Sequence, residues 1–308
     1  MFKLLAIYIS LLTCTPGEEL YARYGHTAIR LQDTERKIDV VFNYGVFSFD
    51  TDNFYYKFVK GETYYQLGIE PTRFFMKGYD WESRPVYEQH LNLTDSQAMA
   101  FAQALAVNYR PENRSYLYNF VFDNCAIRPY NLIKSILGDT IISPYNEWDG
   151  CTYRKYLQHY TGIGSWEDFA INMIFGKRAD VKMQGEDKLF LPEALMFYLQ
   201  SARLPDGTPV VAESHIAPFK IAKTPWYKTW YLGIVLFALF MLTVSLVDLR
   251  RNKWSWWFDA PFILIYLVLF GIAIFLTFFS IHPLVGFNWR LFLFPIIHLC
   301  LRSIYILR

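Results

Sequence analysis

The 308-residue chain has few cysteines, and they are not grouped. Cys14, Cys125, Cys151 and Cys300 show no CxxC spacing and no zinc pattern, so neither a thioredoxin-like redox pair nor a zinc module is expected. Thirty Lys and Arg nearly balance 28 Asp and Glu, giving a formal net charge of +2. That excludes the strongly basic field of a nucleic-acid binder, and no nucleic-acid partner is expected. No internal repeat or low-complexity tract appears, which argues against a solenoid or a linker array. The chain is instead rich in apolar residues. Hydrophobic residues make up 53% and aromatics 19%, and the apolar excess lies after Trp226.

Two runs in that region are long enough, or nearly so, to cross about 30 Å of hydrocarbon as helices. Trp230–Val247 holds 18 residues without a charge, and Ala260–Ser280 holds 21. Trp226, Tyr227, Trp254, Trp256 and Trp257 flank them, as interfacial belts do. A third run, Leu291–Leu307, is shorter and contains His298 and Arg302; it reads as a third span or a re-entrant piece. The loop Asp248–Lys253 carries Arg250, Arg251 and Lys253, which places it in the cytoplasm by the positive-inside rule. The expected arrangement is a multi-pass inner-membrane protein with residues 1–226 outside, facing the periplasm, and a small helical transmembrane bundle over residues 227–308.

Residues 7–220 mix strand and helix signals, an α+β pattern. Gly25–Leu31 and Ile38–Gly45 alternate in polarity around the polar turn Gln32–Lys37 and read as a hairpin. A symmetric turn sets His26 opposite Asn43; a bulged one brings Asp39 closer. Asp39, Val41 and Asn43 share one strand face. Thr94 with Gln97 marks a capped helix, and further helices are expected at Ser165–Phe175 and Pro192–Ser201. At the N-terminus Lys3 and Leu4–Leu12 resemble a short export signal, but Ile7–Thr13 reads better as the first strand. The Phe- and Tyr-dense stretch Phe42–Tyr79 reads as core in the first place and as a wall for a lipid chain in the second.

The chemistry-bearing pair is Cys125 and His26. Cys125 follows the aromatic, strand-like run Tyr118–Phe122 and opens a helical one, while His26 lies in the strand-like Tyr24–Leu31. A helix start and a nearby imidazolium both lower a thiol pKa, which makes a thiolate nucleophile. Asp39 or Asn43 would be the third member that orients the imidazole. Pro129 lacks an N–H, so the helix starts near it or has a distorted first turn; either way free N–H groups from Asn124 to Ile127 are available to an oxyanion. His90, His159 and His215 read as surface or structural. His282 and Arg290, on the loop between apolar runs, are candidates for a lipid headgroup. No metal and no organic cofactor is expected.

The order of these motifs, with Gly25-His26-Thr27-Ala28-Ile29 on a strand and Asn124-Cys125 opening a helix, resembles the permuted papain-like fold of NlpC-type enzymes. More closely, Leu11–Tyr21, Tyr24–Arg30, Phe42-Asn43-Tyr44-Gly45 and Asp123-Asn124-Cys125 are similar to the Lnb N-terminal periplasmic domain family, and Phe278–Pro283 with Asn288-Trp289 is also similar. The resemblance implies lipoprotein N-acylation. Cys125 would be the nucleophile, His26 its base, Asp39 or Asn43 the third member and Asn124 an oxyanion or supporting residue. The implied partners are a phospholipid acyl donor, a diacylated lipoprotein acceptor and the bilayer. The alternatives are a cell-wall peptide amidase and a non-catalytic membrane-anchored accessory protein.

Overall fold

A computed structural model describes residues 7–47, 52–212 and 214–289. The chain forms two compact units, one made of Met1–Cys151 with Lys182–Lys220 and the other of Thr152–Val181 with Ile221–Arg308. The third apolar run, with Cys300, and the headgroup candidate Arg290 lie outside the described residues.

The first unit is built on a six-stranded antiparallel sheet. Its strands are β1 (Ile7–Cys14), β2 (His26–Asp33), β3 (Ile38–Val46), β4 (Tyr64–Pro71), β5 (Val86–His90) and β6 (Ser115–Leu117), in the order β5-β1-β2-β3-β4-β6. The segment read as signal or strand is therefore strand β1, flanked by β5 and β2. It is buried on both faces at all positions but Tyr8. The helices are α1 (Phe54–Lys60), α2 (Thr72–Trp81), α3 (Asp95–Asn108), α4 (Ile127–Leu137) and α7 (Pro192–Ser201); α5 (Tyr153–Thr161) and α6 (Trp166–Ile174) belong to the second unit. Phe75 of α2 packs on Leu12, Cys14, Ala28 and Val41, one face of the central strands. Thr94 and Gln97 form the expected capping box at the start of α3.

The hairpin of β2 and β3 pairs Asp33 with Ile38 through Ile29 with Phe42. This register is offset by two residues from a symmetric turn over Gln32–Lys37. Extending it places Asn43 diagonally across from His26 on the same face, not opposite it. The aromatic run before Cys125 is a turn, not a strand: β6 stops at Leu117, and Asn119 and Asp123 close a tight loop by pairing with each other. The reason is local. The Asn119 side-chain oxygen accepts the N–H groups of Val121 and Phe122, an Asx turn that competes with extended backbone.

In the second unit α5 (Tyr153–Thr161) and α6 (Trp166–Ile174) come from the middle of the chain and cluster with α8 (Trp230–Arg251) and α9 (Trp256–Phe279). Ser165 caps α6 by accepting the Asp168 N–H. The 22 and 24 residues of α8 and α9 are long and apolar enough to span a bilayer. Between them Asn252 takes a left-handed conformation, and Asp248 accepts both the N–H and the hydroxyl of Ser255 at the start of α9. Leu, Ile, Val and Phe side chains along both helices remain exposed, a surface suited to lipid tails rather than water.

Candidate active site

One face of the β2–β3 ladder carries the polar residues of interest, because side chains alternate with a period of two. At one end Arg30 binds Asp39 through two hydrogen bonds of 2.8 and 2.7 Å, and Thr72 donates a third to Asp39 at 2.6 Å. The Arg30 guanidinium holds the Asp39 carboxyl below the usual carboxylate range. At the other end His26 donates from Nε2 to Asn43 Oδ1 at 2.6 Å. Of the two candidate third members, Asn43 is therefore bonded to the imidazole, and Asp39 is committed to Arg30 and Thr72.

With Nε2 on Asn43, Nδ1 is the ring nitrogen left for Cys125, and the thiol and imidazole lie close enough for each to shift the other's ionisation. Burial opposes ionisation of Cys125, yet its pKa lies below the ordinary thiol value. The His26 charge, the His26 hydrogen bond and the backbone N–H groups of Thr27 and Cys125 outweigh desolvation. Burial likewise pulls His26 down, and the Cys125 charge and the bonds to Cys125 and Asn43 lift it above the usual imidazole value. Cys14 is the control within the same fold. It is fully buried and hydrogen-bonded to Tyr79, and burial pushes its pKa to about 12. Two buried thiols shift in opposite directions, and the imidazole and N–H donors account for the difference. Cys14, Cys125 and Cys151 are all free thiols.

The loop that presents Cys125 is fixed by Asn124. Its Nδ2 donates to the carbonyls of Phe120 (2.8 Å) and Phe190 (2.7 Å), and its Oδ1 accepts the N–H groups of Ala126 and Ile127, both at 2.9 Å. Asn124 thus acts as the cap of α4 from two residues before the formal N-cap. Its side chain is fully engaged, so it supports the loop and has no donor left for an oxyanion. The N–H groups of Ala126 and Ile127, expected to serve an oxyanion, are taken by the same side chain. Those of Cys125 and Thr27 favour the thiolate instead. Pro129 sits at the third position of α4, where no intrahelical N–H bond is required, so the helix starts without distortion.

Four neighbours carried no role in the sequence. Gly45 has φ +98° where the β3–β4 register shifts, and a Cβ placed there would lie 3.8 Å from Cys125 Cβ, 3.8 Å from Tyr118 Cε2 and 3.9 Å from His26 Cε1. Its proximity to Asn43 in the Phe42–Gly45 motif was the available signal. Tyr65, Tyr116 and Tyr118 surround this corner. Burial raises all three phenols, Tyr65 to about 12, so the rings stay neutral. Of the remaining candidates, His90 bonds Ser10 on β1 at 2.8 Å. His282 lies in the second unit, just after α9, with its N–H on the Ser280 hydroxyl.

The fold and this corner together define a membrane-anchored α+β protein with a paired buried thiol and imidazole. The chain belongs to the Lnb family: the model of the Lnb N-terminal periplasmic domain matches residues 2–155, and that of the Lnb transmembrane domain matches residues 223–308. No curated protein and no solved structure has significant similarity to the chain.

Proposed function

We propose that the protein is a multi-pass inner-membrane N-acyltransferase that uses Cys125 as its nucleophile and His26 as its general base and acid. The first unit would face the periplasm, and the order of His-bearing strand before Cys-bearing helix would be that of a permuted papain-like domain. The observation that carries the reading is the Cys125–His26–Asn43 chain, with Cys125 lowered and Cys14 raised in the same interior.

In the first half-reaction the thiolate attacks an ester carbonyl of a phospholipid. The tetrahedral oxyanion collapses, the C–O bond breaks, and the lysophospholipid alkoxide takes the proton from the His26 imidazolium, leaving a Cys125 thioester. In the second, the α-amine of a diacylated lipoprotein N-terminal cysteine attacks the thioester. His26 accepts its proton, the C–S bond breaks, and the thiolate–imidazolium pair is restored. Asn43 holds the imidazole ring with Nδ1 toward sulfur throughout. The Cys125 and Thr27 N–H groups, which favour the thiolate, would also serve the oxyanion, a contribution of about 3 kcal/mol per donor in related chemistry.

The test is mass spectrometry of Cys125 after incubation with phospholipid. A hydroxylamine-sensitive acyl adduct on Cys125, with loss of triacylated lipoprotein in Cys125→Ser, is the expected result. Normal conversion by Cys125→Ser removes the proposal.

A further inference from the structure

From the Cys125 corner outward aromatic rings stack one on the next. A Cβ placed at Gly45 would lie 3.8 Å from both Cys125 Cβ and Tyr118 Cε2. Tyr118 stacks on Tyr65 with centroids 4.1 Å apart, Tyr65 on Phe47 at 5.0 Å, Phe47 on Phe54 at 5.9 Å and Phe54 on Phe58 at 5.9 Å. The inner rings are buried or half-buried, while at the outer end Phe58 is 47% exposed and Tyr55, edge-on to Phe54, is 77% exposed.

We infer that this ring wall is the subsite for the acyl chain of a membrane lipid, with α1 as its mouth. The inference rests on the acyl-transfer reading and adds where the chain lies. The rings offer no charged group and no backbone partner that an extended peptide would need. Their polar atoms are phenols held neutral by burial. The mouth mixes exposed aromatics with Lys57 and with Lys60, which pairs with Glu62 and lies over the Tyr56 ring. Aromatic and lysine side chains together suit the headgroup layer of a bilayer. The same chain carries two helices of membrane-spanning length, so that bilayer is already its environment. The wall ends on Cys125, the buried thiol favoured as thiolate among the described residues, which is where an ester carbonyl at the head of the chain has to arrive.

The experiment uses full-length Cys125→Ser protein, so that lipid is not consumed. The protein is placed in nanodiscs of phosphatidylethanolamine and phosphatidylglycerol doped with phosphatidylethanolamine bearing a terminal diazirine on one acyl chain. After irradiation, label is expected on peptides covering Phe47 and residues 54–65 as well as on α8 and α9. Tyr55→Ser with Phe58→Ser, both exposed and therefore tolerated by the fold, is expected to lower label on residues 47–65 about tenfold while α9 is labelled as before. Tyr64→Ser, equally exposed but off the ring series, is expected to change nothing. Label confined to α8 and α9, or an equal loss with Tyr64→Ser, overturns the inference. Neither readout requires turnover. A protein labelled on residues 47–65 that never forms a Cys125 thioester in the wild-type background keeps the subsite and refutes the transfer reaction.

Discussion

His26 Nε2 lies 2.6 Å from Asn43 Oδ1, on adjacent strands, and this one bond decides which imidazole nitrogen faces Cys125. An amide oxygen can only accept, so Nε2 keeps its proton and Nδ1 is the nitrogen left to exchange one with sulfur in the proposed reaction. Asn43→Ala is expected to slow thioester formation by at least about tenfold, because the ring loses its fixed tautomer and orientation. Asp39→Asn is expected to leave that rate within about twofold and to cost about 1 kcal/mol or less, since the Arg30–Asp39 pair is partly exposed and screened. Single-turnover acylation of the two variants checks both statements.

The opposite shifts of Cys125 and His26 favour a thiolate–imidazolium pair and set the direction of its pH dependence. Cys125 is lowered, so its thiolate is lost as pH falls through the Cys125 value. His26 is raised, so its imidazolium is lost as pH rises through the His26 value. Alkylation of Cys125 by iodoacetamide is therefore expected to persist below the pH at which an ordinary thiol protonates. His26→Ala removes the opposing charge and moves the midpoint upward, in the direction of Cys14. An unchanged midpoint in His26→Ala would place the stabilisation of the thiolate elsewhere.

Asn124→Ala removes four hydrogen bonds at once and leaves the Phe120 and Phe190 carbonyls without that donor. A loss of about 2–4 kcal/mol is expected, read as a lower melting temperature in detergent. Its effect on reactivity is informative in the other direction. Freed N–H groups of Ala126 and Ile127 become available near the sulfur, so the surviving folded fraction is expected to keep a depressed Cys125 pKa even as the loop loosens.

Gly45→Ala tests how closely the bulge approaches the pair. The left-handed φ costs a side chain about 1–2 kcal/mol. The added methyl meets Cys125, Tyr118 and His26 at ordinary van der Waals distance and does not overlap them. The variant is expected to fold and to alkylate with small reagents near the wild-type rate. Acylation by long-chain phospholipid is expected to fall about tenfold, because the methyl occupies the corner where the carbonyl must sit.

Much of this arrangement was legible in residues alone. The period of two put His26 on a strand and gave Asp39 and Asn43 a shared face. The Thr94–Gln97 box, the Ser165 cap and the two uncharged runs marked helices that are present. The hairpin register was not legible, because the turn over Gln32–Lys37 has no Asn-Gly or Asp-Gly pair to fix its length. That register selects between Asp39 and Asn43, and Arg30, two strand positions beyond Ala28, claims the carboxylate. The run Tyr118–Phe122 looked extended because its rings favour strands, but Asn119 captures the two following N–H groups and closes a turn. Nor did spacing reveal that Thr152–Val181 clusters with the C-terminal helices. The contacts that tie it there join distant parts of the chain, Gly164 and Phe169 with Trp230 and Asn172 with Asn288.

Asn288 is one of those contacts, and it supports a prediction outside the thiol site. Its side-chain amide donates to the carbonyls of Asn172 and Met173 at 2.7 and 2.9 Å, in the last turn of α6, where carbonyls have no intrahelical donor. Arg154 covers the next carbonyls, those of Phe175 and Gly176, and the Gly176 N–H bonds Leu284 in the loop after α9. A donor is therefore required at position 288. Asn288→Ala loses two hydrogen bonds and is expected to cost about 1–3 kcal/mol. Asn288→Asp keeps the shape but replaces the amide by a carboxylate that cannot donate and that faces the negative end of α6, so it is expected to be worse than alanine. Hydrogen exchange over residues 280–289 is expected to rise in the order wild type, Asn288→Ala, Asn288→Asp. Equal exchange in the two variants would mean that side-chain volume, not donation, anchors the loop.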